Sequence, residues 1–200
     1  VFAVLGRVAE RLGTGLQNPL QRFESARDLS FNPLFEGFFL IFVFFFYVCF
    51  MSITITFLGT GTSQGVPVIG CNCDVCLSEN EKDKRLRTSI LVQWNDLNLV
   101  IDSGPDFRQQ MLRFGVNKLD ALIFTHPHKD HIAGMDDIRA FNFTQKTRIP
   151  IYTNLLTLEG LKRDFYYVFD ENPYPGIPQI ELNIIENKPF EIKDCPVIPV

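Results

Sequence analysis

The chain has 200 residues, 46% of them hydrophobic, with a formal net charge of −4 at pH 7 and a mean hydropathy of +0.07. That is apolar material for one core plus an appendage, and it excludes a chain that is disordered for most of its length. With 19 basic residues against 23 acidic ones there is no basic sheath for a polyanion, which argues against a dedicated nucleic-acid-coating protein.

The first 50 residues stand apart. They hold 11 of the 20 phenylalanines, and Phe38 to Met51 is an apolar run of 14 residues without a charge. A membrane anchor or signal segment is one reading, but a spanning helix needs roughly 18 to 20 such residues. Arg22, Arg27, Asp28 and Glu36 give no positive-inside bias, and no small-residue cleavage site follows. The favoured reading is upstream sequence ahead of a true initiator at Met51, because patterned sequence begins at Ser52. The expected division is a Phe-rich leader over 1–50, in which Cys49 carries no signal, and a domain over 51–200.

From Ser52 the elements follow in order. Ile53, Ile55 and Phe57 alternate with Ser52, Thr54 and Thr56, the period of a half-buried strand, and the glycine-rich Gly59 to Pro67 breaks it. That loop lacks the lysine of a P-loop and a complete G-x-G-x-x-G, so tight packing is expected, with backbone amides facing a phosphoryl oxygen as the further option. Cys71, Cys73 and Cys76 come next as C-x-C-x2-C. Thiolates this close repel one another, and a structural zinc is the usual way to gather them in a reducing compartment; free surface thiols or a redox pair are the alternatives. A tetrahedral zinc needs a fourth ligand, for which Cys195 is the remaining cysteine of the domain, although a buried thiol opening a strand is its plainer reading. Lys82, Lys84, Arg85 and Arg87 read as a solvated face, or as a phosphate-facing rim.

Ser89 to Gln93 and Leu97 to Ile101 flank Trp94-Asn95-Asp96 and predict a hairpin. Asp102 reads as a turn or cap residue. Pro105 opens a helix through Phe114, with Ser103 as N-cap and Gly115 as terminator. Ala121 to Phe124 is a short strand apolar on both faces. A helical stretch over Met135 to Phe143 and a strand over Ile149 to Tyr152 follow. Leu155, Leu158, Leu161, Phe165 and Phe169 recur at helical spacing as a core-facing stripe. Beyond the Pro-rich loop, Ile180 to Ile185, Phe190 to Ile192 and Val197 to Val200 read as strands; the last stops at the final residue, so the domain is expected to be cut short.

All three histidines of the protein, His126, His128 and His131, fall within six positions directly after the Ala121 to Phe124 strand. At an extended strand end, side chains at i and i+2 project to one side, so His126 and His128 can converge on one cation. The chain then turns, and Asp130 with His131 can face a second. Imidazole and carboxylate suit zinc, manganese or iron, and two such ions roughly 3.5 to 4 Å apart can hold a bridging hydroxide, the expected nucleophile. A lone histidine is more often an ordinary hydrogen-bonded residue, but three with an acid at a strand's end outweigh that. Asp136 and Asp137 read as a helix start favoured by its dipole, with support of the metal ligands from behind as the alternative.

His126-x-His128-x-Asp130-His131 after a hydrophobic strand, preceded by Val100-Ile101-Asp102-Ser103-Gly104, resembles the metallo-β-lactamase superfamily. The match runs from about Ser52 to Val200. Gly59-Thr60-Gly61-Thr62-Ser63-Gln64-Gly65-Val66-Pro67 with the cysteine motif is similar to the branch that contains the phosphoribosyl cyclic phosphodiesterase of phosphonate breakdown, related to the tRNA 3′-processing endonucleases. The resemblance implies an α/β fold, the αββα sandwich, incomplete at the C-terminus. It implies that His126 and His128 bind a first metal, that Asp130 and His131 bind a second and serve catalysis, and that Asp102 orients the metal-binding loop. The further histidines and the bridging aspartate of the family, and the histidine that completes its cysteine site, do not occur in this chain. The cofactors implied are two divalent ions, zinc or manganese, and one structural zinc on the cysteines.

The expected protein is a cytoplasmic, metal-dependent phosphodiesterase acting on a small phosphorylated or cyclic-phosphate substrate, without a membrane partner, and with a homodimer admitted. Nucleic acid is the less favoured partner: an RNA 3′-end hydrolase is the second reading. A zinc-stabilised domain without catalysis is the third.

Overall fold

The computed structural model describes residues 53–172 and 174–199; the Phe-rich leader, Cys49 and the Met51 boundary lie outside them. Residues 53–186 form one compact unit. Its six-stranded sheet runs in chain order, β1 (Ile53–Gly59), β2 (Ser89–Trp94), β3 (Leu97–Ile101), β4 (Ala121–Ile123), β5 (Ile149–Thr153) and β6 (Ile180–Ile184). The first three are antiparallel, and β3 to β6 are parallel. Trp94 lies opposite Leu97, so the hairpin turn is Asn95-Asp96, and Asn95 takes the left-handed conformation at φ 49° that asparagine tolerates.

Parallel neighbours need crossovers, and right-handed crossovers that always return to the next strand put the helices between β3 and β6 on the same face. The helices are α1 (Asp74–Leu77), α2 (Phe107–Arg113), α3 (Lys129–Ile132), α4 (Arg139–Gln145) and α5 (Leu155–Asp164). Phe107, Met111, Phe141 and Leu161 from the crossovers pack with Leu91, Val100, Leu122 and Ile151 of the sheet in one core. The opposite face is apolar too: Leu97, Leu99, Ile101 and Ala121 are buried. This arrangement explains a departure in β1. Its alternating Ile53, Ile55 and Phe57 belong to that opposite face, where Phe57 is 55% exposed, and Leu58 is the β1 side chain that enters the core.

Two other expectations need correcting. Ser103 does not cap α2: the turn from Gly104 to Phe107, closed by the Phe107 amide on the Gly104 carbonyl, moves the cap to Asp106, and Ser103 is fully buried. Leu155 is exposed because Asn154 caps α5 by accepting from the Thr157 amide. That phase turns Thr157, Gly160 and Leu161 inward, and Phe169 belongs to a separate 3-10 turn, Tyr166–Phe169. The helical stretch expected over Met135 to Phe143 is present, as a 3-10 helix, Met135–Ile138, running into α4.

Described by itself, the hairpin of β7 (Phe190–Ile192) and β8 (Cys195–Val197) replaces the strand expected over Val197 to Val200. Lys193 at φ 53° makes a tight turn that puts Cys195 opposite Ile192, so pairing begins two residues early. Among the described residues no helix is long and apolar enough to cross a membrane.

Candidate metal centre

Parallel pairing of β3 with β4 delivers Asp102 and Thr125-His126 to the carboxyl ends of adjacent strands, where open α/β sheets place their sites. Asp102 is 3% exposed and sits at φ 63°, a strained conformation that aspartate enters more readily than most residues. Its carboxylate accepts from the Thr125 amide at 2.8 Å, from the Thr125 hydroxyl at 2.7 Å and from His131 Nδ1 at 2.7 Å. One buried carboxylate thus ties Thr125, at the start of the histidine loop, to His131 at its end.

These bonds fix the imidazole tautomers. A threonine hydroxyl has one proton. Thr125 gives it to Asp102, so at 2.9 Å from His126 Nδ1 the same oxygen can only accept, which places the His126 proton on Nδ1. His131 likewise keeps its proton on Nδ1, facing Asp102. Both rings are left with the Nε2 lone pair free, the form in which histidine binds a metal. Burial, then the neighbouring His131 and His128, push the His126 pKa below its ordinary value, which favours the neutral ring. The ring centroids of His126 and His128 are 4.6 Å apart, and those of His126 and His131 are 3.9 Å apart.

His131 Nε2 faces Asp130 Oδ2 at 3.2 Å. A lone pair opposite a carboxylate oxygen is repulsive unless a cation or proton lies between them. The spacing is close to the edge of a tetrahedron built on metal–ligand bonds of about 2.0 to 2.1 Å, roughly 3.3 Å. Donor chemistry and geometry therefore fit a divalent ion of the zinc or manganese kind.

Glycines let the backbone close around this loop. A Cβ on Gly104 would lie 2.1 Å from the Asp130 carbonyl oxygen, and one on Gly134 would lie 2.2 Å from that of Gly104. The Gly134 amide bonds the Ser103 carbonyl at 2.8 Å. Neither Thr125 nor Gly134 attracts notice in the sequence. The signal available was the Thr-His junction at the strand end.

Among the described residues, Cys71, Cys73 and Cys76 are the group whose ligand atoms all lie within 4.8 Å of one another; the histidines are close ring to ring but do not gather their donor atoms that tightly. Cys73 opens α1, and hydrogen bonds from the Cys76 amide and the Cys71 and Cys76 thiols lower its pKa to about 7. In Cys76 the Val68 amide, 3.4 Å from the sulfur, pulls the pKa down, but the neighbouring Cys71 and Cys73 and burial prevail and raise it. One thiol of the trio thus ionises early at the expense of another. In chelator-stripped protein, Cys73 is expected to react with iodoacetamide at half its maximal rate near pH 7, well below the ordinary thiol range, because alkylation follows the thiolate fraction. Peptide mapping of the alkylated protein checks this, and a Cys73 midpoint near pH 9 would contradict it. Cys195 is buried, and burial raises its pKa, the behaviour of a packed thiol.

The remaining candidates resolve as follows. The Gly59 to Gly65 loop packs tightly on the segment before β2: a Cβ on Gly59 would lie 2.0 Å from the Arg87 carbonyl oxygen, and the Gly61 amide bonds Leu86. Arg87 is not part of a solvated face. Its guanidinium pairs with Asp106, the residue that opens α2, at 2.8 Å and bonds the Ser63 carbonyl at 2.8 Å. Asp136 and Asp137 do sit in the first turn of a 3-10 helix, but Asp136 accepts from the Tyr167 hydroxyl at 2.6 Å. Burial, with that bond, raises the Tyr167 pKa.

A diphosphatase of the PhnP family, known from its crystal structure, is 42% identical with a TM-score of 0.63, over 70% of this chain and 53% of its own. Zn(2+)-bound PqqB from Methylobacterium extorquens shares the fold at 20% identity and a TM-score of 0.55, over 70% of this chain and 48% of its own. An octanoyltransferase of Porphyromonas gingivalis (strain ATCC BAA-308 / W83) is 42% identical over 145 residues, 72% of this chain and 29% of that protein. The chain thus spans about half the length of the two structures and under a third of the transferase. Residues 97–200 match the Beta-lactamase superfamily domain, a stretch that begins at β3 and carries Asp102 and every histidine, and the chain belongs to that superfamily.

Proposed function

We propose that the complete protein is a cytoplasmic, metal-dependent phosphodiesterase for small phosphorylated or cyclic-phosphate compounds. The observation that carries this reading is the pairing of two imidazoles, each held as the Nδ1–H tautomer, with the Asp130 carboxylate facing His131 Nε2. Support for phosphorus chemistry comes from the diphosphatase relative at 42% identity. His126 and His128 would hold one divalent ion, and Asp130 with His131 a second. Ions bound there would supply Lewis-acid stabilisation of charge on a phosphoryl oxygen and a lowered pKa for water. The chain's own residues have separate tasks: Asp102 keeps the His131 proton at Nδ1, Thr125 keeps that of His126, Gly104 allows Asp130 to approach, and Gly134 lets the following turn close on Gly104. The three cysteines would hold a structural zinc.

The transferase name belongs to a protein of which more than two thirds lies outside the match, so it lends no acyl-transfer role to these residues. The net charge of −4 favours a small substrate over RNA. Full-length protein is expected to hydrolyse bis(p-nitrophenyl) phosphate, to lose turnover on chelation and to regain it with zinc or manganese. His128→Ala is expected to reduce turnover at least a hundredfold, the scale for removing one electrostatic support of the transition state. Equal rates for the variant and the parent would overturn the assignment; salt-sensitive tRNA binding would point to the RNA reading instead, and a single thiolate-bound zinc to a structural domain.

A further inference from the structure

The metal-binding motif is held from outside as well as from within. From His126 to His131 the residues alternate: His126, His128, Asp130 and His131 carry the ligand chemistry, whereas Pro127 and Lys129, between them, meet α5. A Cβ on Gly160 would lie 2.4 Å from the Pro127 Cβ, so the helix approaches the loop at a point that only glycine permits. Lys129 does not serve the centre directly. Its ammonium pairs with Asp164 Oδ2 at 2.9 Å and lies 5.6 Å from the centre of the Phe165 ring. Asp164 is 11% exposed at its side chain and also takes the Arg163 guanidinium at 3.0 Å. Between β4 and α3, residues 125–128 have no strand pairing, so side-chain contacts add to the bonds that the His128 carbonyl accepts from the His131 and Ile132 amides.

We propose that the carboxyl-terminal half of α5 is a positioning clamp for the ligand loop, with Gly160 and Asp164 as positioning residues that act through Pro127 and Lys129. The clamp rests on the reading of His126, His128, Asp130 and His131 as a metal centre. Asp102 fixes the loop from the sheet side; α5 fixes its outer side, and together they hold two imidazoles on one short irregular segment. Preorganisation of that kind separates a tight site from a loose one.

The test uses full-length protein loaded with cobalt(II), with affinity at the histidine centre read by competition against a chromophoric chelator and geometry read from the visible bands. Gly160→Ala is expected to weaken cobalt binding at that centre by about tenfold to a hundredfold, the usual range for groups that support metal ligands, and to shift its visible bands. Asp164→Asn and Lys129→Met are each expected to weaken it in the same direction, and the double variant to lose no more than the larger single loss, since both remove one contact. Thiolate–cobalt charge-transfer bands from the cysteine cluster, and the variant Leu156→Ala on the exposed side of α5, are expected to match the parent. Should Gly160→Ala not fold, the Lys129 and Asp164 variants decide alone. Parent affinity and spectrum in these variants would overturn the clamp and leave the metal centre standing. A parent protein that takes up no cobalt outside the cysteines would overturn both.

Discussion

Asp102→Ala is expected to cost about 4 kcal/mol of unfolding free energy, since each of three donors left without an acceptor costs roughly 1 to 3 kcal/mol, taken at the low end. The Thr125 amide, the Thr125 hydroxyl and His131 Nδ1 all lose their partner at once. Alanine also resists the φ of 63° at this position, adding roughly 1 kcal/mol. Asp102→Asn separates stability from metal binding. Its Oδ1 can still accept from the Thr125 amide, and asparagine tolerates the backbone, so the protein is expected to fold. The amide group, however, presents a donor to His131 Nδ1, which drives the ring to the other tautomer and puts its proton on Nε2. Metal affinity at the histidine centre is then expected to fall by about tenfold to a hundredfold. Urea unfolding and metal analysis of both variants check this; an asparagine variant with parental metal affinity would show that Asp102 does not set the tautomer.

The second large effect is expected at the glycines beneath the loop. In Gly134→Ala the new Cβ meets the Gly104 carbonyl oxygen at 2.2 Å and the Phe107 Cβ at 2.7 Å; in Gly104→Ala it meets the Asp130 carbonyl oxygen at 2.1 Å. Neither backbone can withdraw without dragging Asp130 and His131. A destabilisation of about 3 kcal/mol is expected for each, the upper end of what overpacking costs, with loss of metal uptake in Gly104→Ala even where the fold survives. Gly115→Ala is the contrast. No atom lies within 4 Å of its added Cβ, and only its φ of 63° is unfavourable, so about 1 kcal/mol is expected. Chemical denaturation of the three variants orders them, and equal losses would mean that backbone conformation, not the close approach, governs these sites.

Much of the sheet was legible because its cues are local. The turn at Asn95-Asp96 and the apolar runs of β4 and β5 mark their own boundaries. The misread elements fail for non-local reasons. Ser103 looks like a cap until the Gly104 to Phe107 turn shifts the helix start. Leu155 looks like a core residue until Asn154 sets the phase of α5. Arg87 looks solvated because its partner Asp106 lies 19 positions away. Phe57 looks buried because alternation cannot say which face of a sheet apolar on both sides the helices will cover.

For the candidate site, residue order alone made the cluster legible: three imidazoles and an aspartate within six positions can be brought together by one strand end and one turn, whatever surrounds them. The tautomers, the facing of Asp130 by His131 and the contact with α5 follow only from tertiary structure. Asp102 meets Thr125 across 23 positions and His131 across 29, and such distant groups come within hydrogen-bond reach only once β3 pairs in parallel with β4.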